Sequence, residues 1–233
     1  MIGNRGWDKR LKTMRVSTIA ILVSLILLVL FAGFTVYGNR VGNFIINVNN
    51  EGVQLALSVN EDLSNPTARL ALSGIDGQRD ATYTDIPDDI ALGLGEKNDY
   101  TGQRYLAFSF YLINNSTTTV DYDMELNIID TIGDPLSILR LMIIEGDKEK
   151  DTGIVYALPE ATEEGAEQLR QFTNYTTTPH LSDSQIFKKT VIDLQPGDAV
   201  KYTVVIWVEG WDVDCTDYRI GDRVKMELSF FGY

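Results

Sequence analysis

Cysteine and histidine are almost missing from this chain: its 233 residues hold one of each, Cys215 and His180. A single cysteine excludes an internal disulfide framework and any cysteine-built zinc cluster. A single histidine excludes multi-histidine metal sites, including the paired-histidine face of an H-E-x-x-H zinc peptidase. His180 stands alone in Thr177-Thr178-Pro179-His180-Leu181-Ser182 and reads as a solvated loop residue. No G-x-S-x-G nucleophile context occurs that could recruit it. Gly93-Leu94-Gly95 lacks the remaining glycine and the helix start of a dinucleotide-binding turn, and no Walker pattern is present. Catalysis is therefore not expected. There is no internal repeat and no proline-rich or serine-rich stalk.

What is present is a sharp step in charge. The chain carries 20 Lys+Arg against 33 Asp+Glu, a net charge of −13. Residues 1–15 run the other way, with Arg5, Lys9, Arg10, Lys12 and Arg15 against Asp8. From Gly38 to Tyr233 the balance is 15 basic to 32 acidic residues, or −17. Between these regions, Val16–Tyr37 is uncharged and rich in Leu, Ile and Val. As a helix that run is roughly 33 Å long, enough to cross a bilayer core of about 30 Å. The short basic flank predicts that the N-terminus stays in the cytoplasm and residues 38–233 lie outside.

The same segment fits a cleavable signal peptide or a retained signal-anchor. It exceeds the usual apolar core of a signal peptide, no clear A-x-A site follows it, and the only cysteine is too distant to be a lipobox. A retained single-pass anchor is the expectation, and secretion after cleavage is the alternative. A charge of −17 in the outer region repels phosphate backbones, so no nucleic-acid partner is expected; the expected partner is lipid, through residues 16–37.

Beyond the membrane segment the hydrophobic period becomes two. Leu106, Phe108, Phe110 and Leu112 share one face of a run over 105–113. Val120, Tyr122, Met124, Leu126 and Ile128 alternate with Asp121, Asp123, Glu125 and Asn127, giving one buried and one wet face. Tyr202–Val208 and Val224–Phe230 alternate in the same way. Further strands are expected near 44–48, 53–59, 69–73, 138–145, 153–157 and 186–194. Pro196-Gly197-Asp198 reads as a turn, with proline fixing φ and glycine free to take positive φ. One short helix or ordered loop is expected over Glu160–Phe172. About ten short strands predict an all-β fold, an antiparallel, jelly-roll-like β-sandwich preceded by one transmembrane helix.

The basic start, the apolar segment and the immediate strand Tyr37-Gly38-Asn39-Arg40-Val41-Gly42-Asn43-Phe44 look like secreted or anchored surface proteins of Gram-positive bacteria. The Asn-rich turn before Val120–Ile128, and Leu194-Gln195-Pro196-Gly197 before Tyr202–Val208, resemble the jelly roll of the TasA/camelysin family. That resemblance implies a matrix-fibre or cell-surface protein. Some members are classed as metallopeptidases, but no peptidase motif stands in this sequence.

Few residues carry candidate chemistry. Asp212, Asp214 and Asp217 are hard oxygen donors at close spacing, with Asp222 following, and can be read as calcium ligands. The EF-hand pattern fails there, and solvated acids are the plainer reading. A second acidic loop, Asp85-Ile86-Pro87-Asp88-Asp89, is equally ambiguous. No other cofactor is expected. Trp207 and Trp211 flank the first loop and could form a contact patch for protein or glycan, against core or sheet-edge packing as the simpler reading. Cys215 lies among three acids that disfavour its thiolate. The expected function is a non-catalytic cell-envelope protein, a surface or matrix subunit that self-associates through sheet edges or strand exchange. An anchored recognition module is the alternative.

Overall fold

The computed structural model describes residues 21–28, 44–49, 52–72, 79–93, 99–101, 104–160, 162–217 and 221–233. The basic residues Arg5, Lys9, Arg10, Lys12 and Arg15 lie outside the described residues, as do 16–20 and 29–37 of the apolar segment. Residues 21–28 are helical, and all eight are exposed. Among the described residues no helix is long and apolar enough to cross a membrane. The chain divides into two compact units, Met1–Val41 and Gly42–Tyr233.

The second unit is a β-sandwich of two sheets. Its strands are β1 (Phe44–Asn49), β2 (Leu55–Ser58), β3 (Arg69–Leu72), β4 (Asp99–Thr101), β5 (Tyr105–Asn114) and β6 (Val120–Ile132). They continue with β7 (Leu139–Glu145), β8 (Ile154–Ala157), β9 (Thr177–Pro179), β10 (Gln185–Leu194), β11 (Ala199–Val208) and β12 (Arg223–Gly232). The first sheet runs β10-β6-β12-β1-β3; the second runs β2-β5-β11-β7-β8-β9, with β4 also on β5. β4 and β9, three residues each, are strands that alternation did not reveal.

Among the named strands, pairing is antiparallel except in two pairs. β1 runs parallel to β12, with Phe44 opposite Met226, and β8 runs parallel to β9. A parallel pair needs a crossover rather than a hairpin. For β8 and β9 the crossover carries the helix Glu163–Phe172; for β1 and β12 it is the whole domain. The antiparallel expectation is corrected at these two pairs, one inside the first sheet and one at the edge of the second.

The core lies between the sheets. Leu106, Phe108, Phe110 and Leu112 of β5 meet Tyr122, Met124 and Leu126 of β6 there. Phe110 and Phe230 pack edge to face with centroids 6.0 Å apart. A second, smaller core covers the outer face of the second sheet. Tyr83, Ile86 and Ile90 of segment 79–93 cap Tyr105, Met142, Val205 and Trp207. Lys150 fastens that segment, its ammonium donating to the Tyr83 and Ile86 carbonyls and pairing with Asp88 at 2.9 Å. The Gly197 turn forms as read: φ is +81°, and the Gly197 N–H donates to the Asn114 carbonyl.

Candidate functional site

At one end of the second sheet, where β7 begins and β11 ends, three segments bring charged side chains into the interior. Arg140, the second residue of β7, has a side chain only 1% exposed. Its guanidinium donates to the Asp212 carboxylate at 2.6 Å and to Glu160 at 3.3 Å. It also donates to the Ser137 and Leu139 carbonyls. A buried charge is tolerated only when paired and hydrogen-bonded, and Arg140 has both.

Asp212 is positioned by the turn that follows β11. Its second carboxylate oxygen accepts the Asp214 N–H at 2.9 Å. Glu209, fully buried one residue after β11, accepts from the Tyr175 hydroxyl at 2.6 Å and from the Trp207 indole N–H at 3.1 Å. Glu160 sits just before the helix whose N-cap is Thr162, which accepts from the Gly165 N–H. Burial first, then the charge of Asp212 and a hydrogen bond to it, raise the Glu160 carboxyl to about 7. Arg140 opposes this shift but serves Asp212 at the shorter distance, so the raising effects prevail. Near neutrality Glu160 is thus partly protonated beside the Asp212 carboxylate and the Arg140 guanidinium.

Of the three aspartates read as calcium ligands, the structure brings Asp212 and Asp214 together with Glu160, their oxygens within 4.8 Å of one another. Asp217 is exposed and outside this group. The spacing is that of cation ligands, but the resident cation is Arg140, which takes one Asp212 oxygen while a backbone N–H takes the other. The second acidic loop is likewise committed: Asp85 caps the Thr82 N–H and pairs with Arg104, and Asp88 pairs with Lys150.

Trp207 belongs to no contact patch. It is 1% exposed because segment 79–93 covers its face of the sheet. Trp211 is 44% exposed and stacks on Phe172, which is 48% exposed, with centroids 4.3 Å apart. His180 also departs from a solvated reading. It is half-buried with its Nδ1 sealed, and burial followed by the Arg140 charge lowers it to about 4. Cys215 is half-buried, and burial, then Asp80, Asp212 and Glu209, raise its thiol above the ordinary range. Arg140, Glu160 and Glu209 were not singled out in the sequence. The one local signal is an isolated arginine in the apolar run 138–144.

Fold and cluster together define a two-sheet β-sandwich domain braced by buried ion pairs at one end. No family model matches the chain, and no curated protein matches it. Among solved structures the chain is similar to the N-terminal domain of PorA, at 12% identity over 77% of this chain and 97% of that one, with a TM-score of 0.24. A score that low supports no inference from that protein to this one.

Proposed function

We propose that this chain is a non-catalytic bacterial cell-envelope protein, held by a single N-terminal membrane segment over 16–37 and serving as a structural surface or matrix subunit. The observation that carries this reading is the uncharged apolar run Val16–Tyr37 behind a basic flank, of which 21–28 is helical. All eight residues of that helix are exposed, with Ile21 at 64% and Leu28 at 68%. Apart from Ser24 its residues are all apolar, which suits a lipid environment. It precedes an acidic sandwich whose buried charged groups are spent on internal bonds, as befits a scaffold. Chain segments 105–145 and 185–232 alternate between the sheets in the manner of a jelly roll, β5 to β6 to β7 and β10 to β11 to β12. Parallel pairing of β1 with β12 is a geometry that strand exchange between copies can reuse.

The exposed Trp211–Phe172 stack favours a second reading, an anchored module that contacts a protein or glycan there. The N-terminal mass of the mature protein from membrane and medium fractions is the test. A full-length chain in the membrane is the expected result and retains the anchor. A chain beginning near Gly38, recovered from the medium, overturns the anchor and leaves a released subunit.

A further inference from the structure

Away from the ion cluster, the open side of the sandwich holds a cleft of about 170 Å³ between the two sheets. Met124, Ile143, Ile154 and the Tyr156 ring give it an apolar wall. A volume of about 150 Å³ accommodates one benzene ring, and here Glu145, Lys148, Thr152 and Lys189 complete the lining with polar groups.

Two polar features face the same space. Tyr202 lines the cleft, and its hydroxyl lies 2.6 Å from that of Tyr122, both phenols being buried. The two hydroxyls share one hydrogen bond. Burial keeps both phenols protonated, Tyr122 being pushed up to about 12. At the rim, Glu145 is neutralised by Lys189 at 2.8 Å, and the neighbouring Asp147 by Lys201 at 2.6 Å. Lys148, exposed and lining the cleft, has no ion-pair partner among the described residues.

We propose that this cleft binds a small organic acid, an apolar body the size of a phenyl ring or a branched alkyl group carrying one carboxylate. The body fills the space between Met124, Ile143, Ile154 and Tyr156. The carboxylate pairs with the Lys148 ammonium at the mouth.

The test is a titration of the full-length protein in detergent micelles with benzoate, followed by the methyl resonances of Met124, Ile143 and Ile154. Benzyl alcohol serves as the neutral counterpart. Saturable shifts at or below about 10 mM benzoate are expected, the range open to a ligand of so few atoms. Lys148→Glu, an exposed change that leaves the core intact, should weaken benzoate about tenfold and leave benzyl alcohol unaffected. Ile154→Trp, at an edge residue 45% exposed, should fill the cleft and abolish both sets of shifts. Absence of saturation, equal affinity for benzyl alcohol, or benzoate binding unchanged by Lys148→Glu would each overturn the proposal.

Discussion

Arg140 illustrates how one buried cation can hold several segments in place. It ties β7 to Glu160 ahead of the helix and to Asp212 after β11. Removing one partner strands a charge in the interior, which costs about 3–5 kcal/mol, whereas replacing both with apolar groups of like volume is often near neutral. Arg140→Ala should therefore lower the unfolding free energy by that amount in urea titrations. Arg140→Met combined with Asp212→Leu should recover most of it; a double variant as unstable as Arg140→Ala would show that packing, not charge, dominates here. Glu160 gives a pH signature. Its folded value, about 7, stands above its ordinary 4.5. Its stabilising contribution is therefore fully present below pH 4.5 and is lost as pH rises through 7. Thermal stability should fall across that window, and Glu160→Gln should flatten the fall. His180 acts in the opposite sense, since its folded value, about 4, lies below the ordinary 6.5. Its contribution is lost as pH drops from 6.5 through 4, a decline that His180→Gln should remove.

Among the elements, the helix Glu163–Phe172 depends on its N-cap more than on its sequence pattern. Its apolar stripe is ragged and Gly165 weakens it, but Thr162 accepts the Gly165 N–H, and Glu163 and Glu164 favour the positive end of the helix dipole. Thr162→Ala should cost about 1 kcal/mol. Because Phe172 ends this helix and stacks on Trp211, the same change should loosen the stack. A red-shifted tryptophan emission, with Trp207 still buried, is the expected signal; an unchanged spectrum would mean that the stack stands without the helix. This element also marks where the sequence was legible. β6 reads cleanly because its outer face is wet, so Val120, Tyr122, Met124 and Leu126 alternate with acids. β5 and β11 are buried on both faces, and Val205 and Trp207 are the visible trace of the segment that covers them. The ion cluster was not legible, because Arg140 meets partners 20 and 72 residues away in the chain, and no local period encodes that meeting.

At the scale of the whole domain, the first strand and the last are neighbours. β1 enters between β12 and β3, pairing parallel with one and antiparallel with the other. Phe44, Ile45 and Ile46 are 2%, 4% and 1% exposed, so the strand is buried on both faces. At about 1.5–3 kcal/mol for each buried side chain of this kind, the three contribute on the order of 5–9 kcal/mol. That is comparable to the entire net stability of a typical domain, about 5–15 kcal/mol. Losing β1 would also free the edge of β12 and leave β3 without its sheet neighbour. The position of any N-terminal cleavage therefore decides the fate of the fold. A chain beginning at Gly42, the start of the second compact unit, should fold alone and unfold in one cooperative urea transition. A chain beginning at residue 50 should expose apolar surface, bind a hydrophobic dye and aggregate. Should the shorter chain unfold at the same urea midpoint as the longer one, β1 would be an accessory strand, and its parallel pairing with β12 would contribute little to the domain.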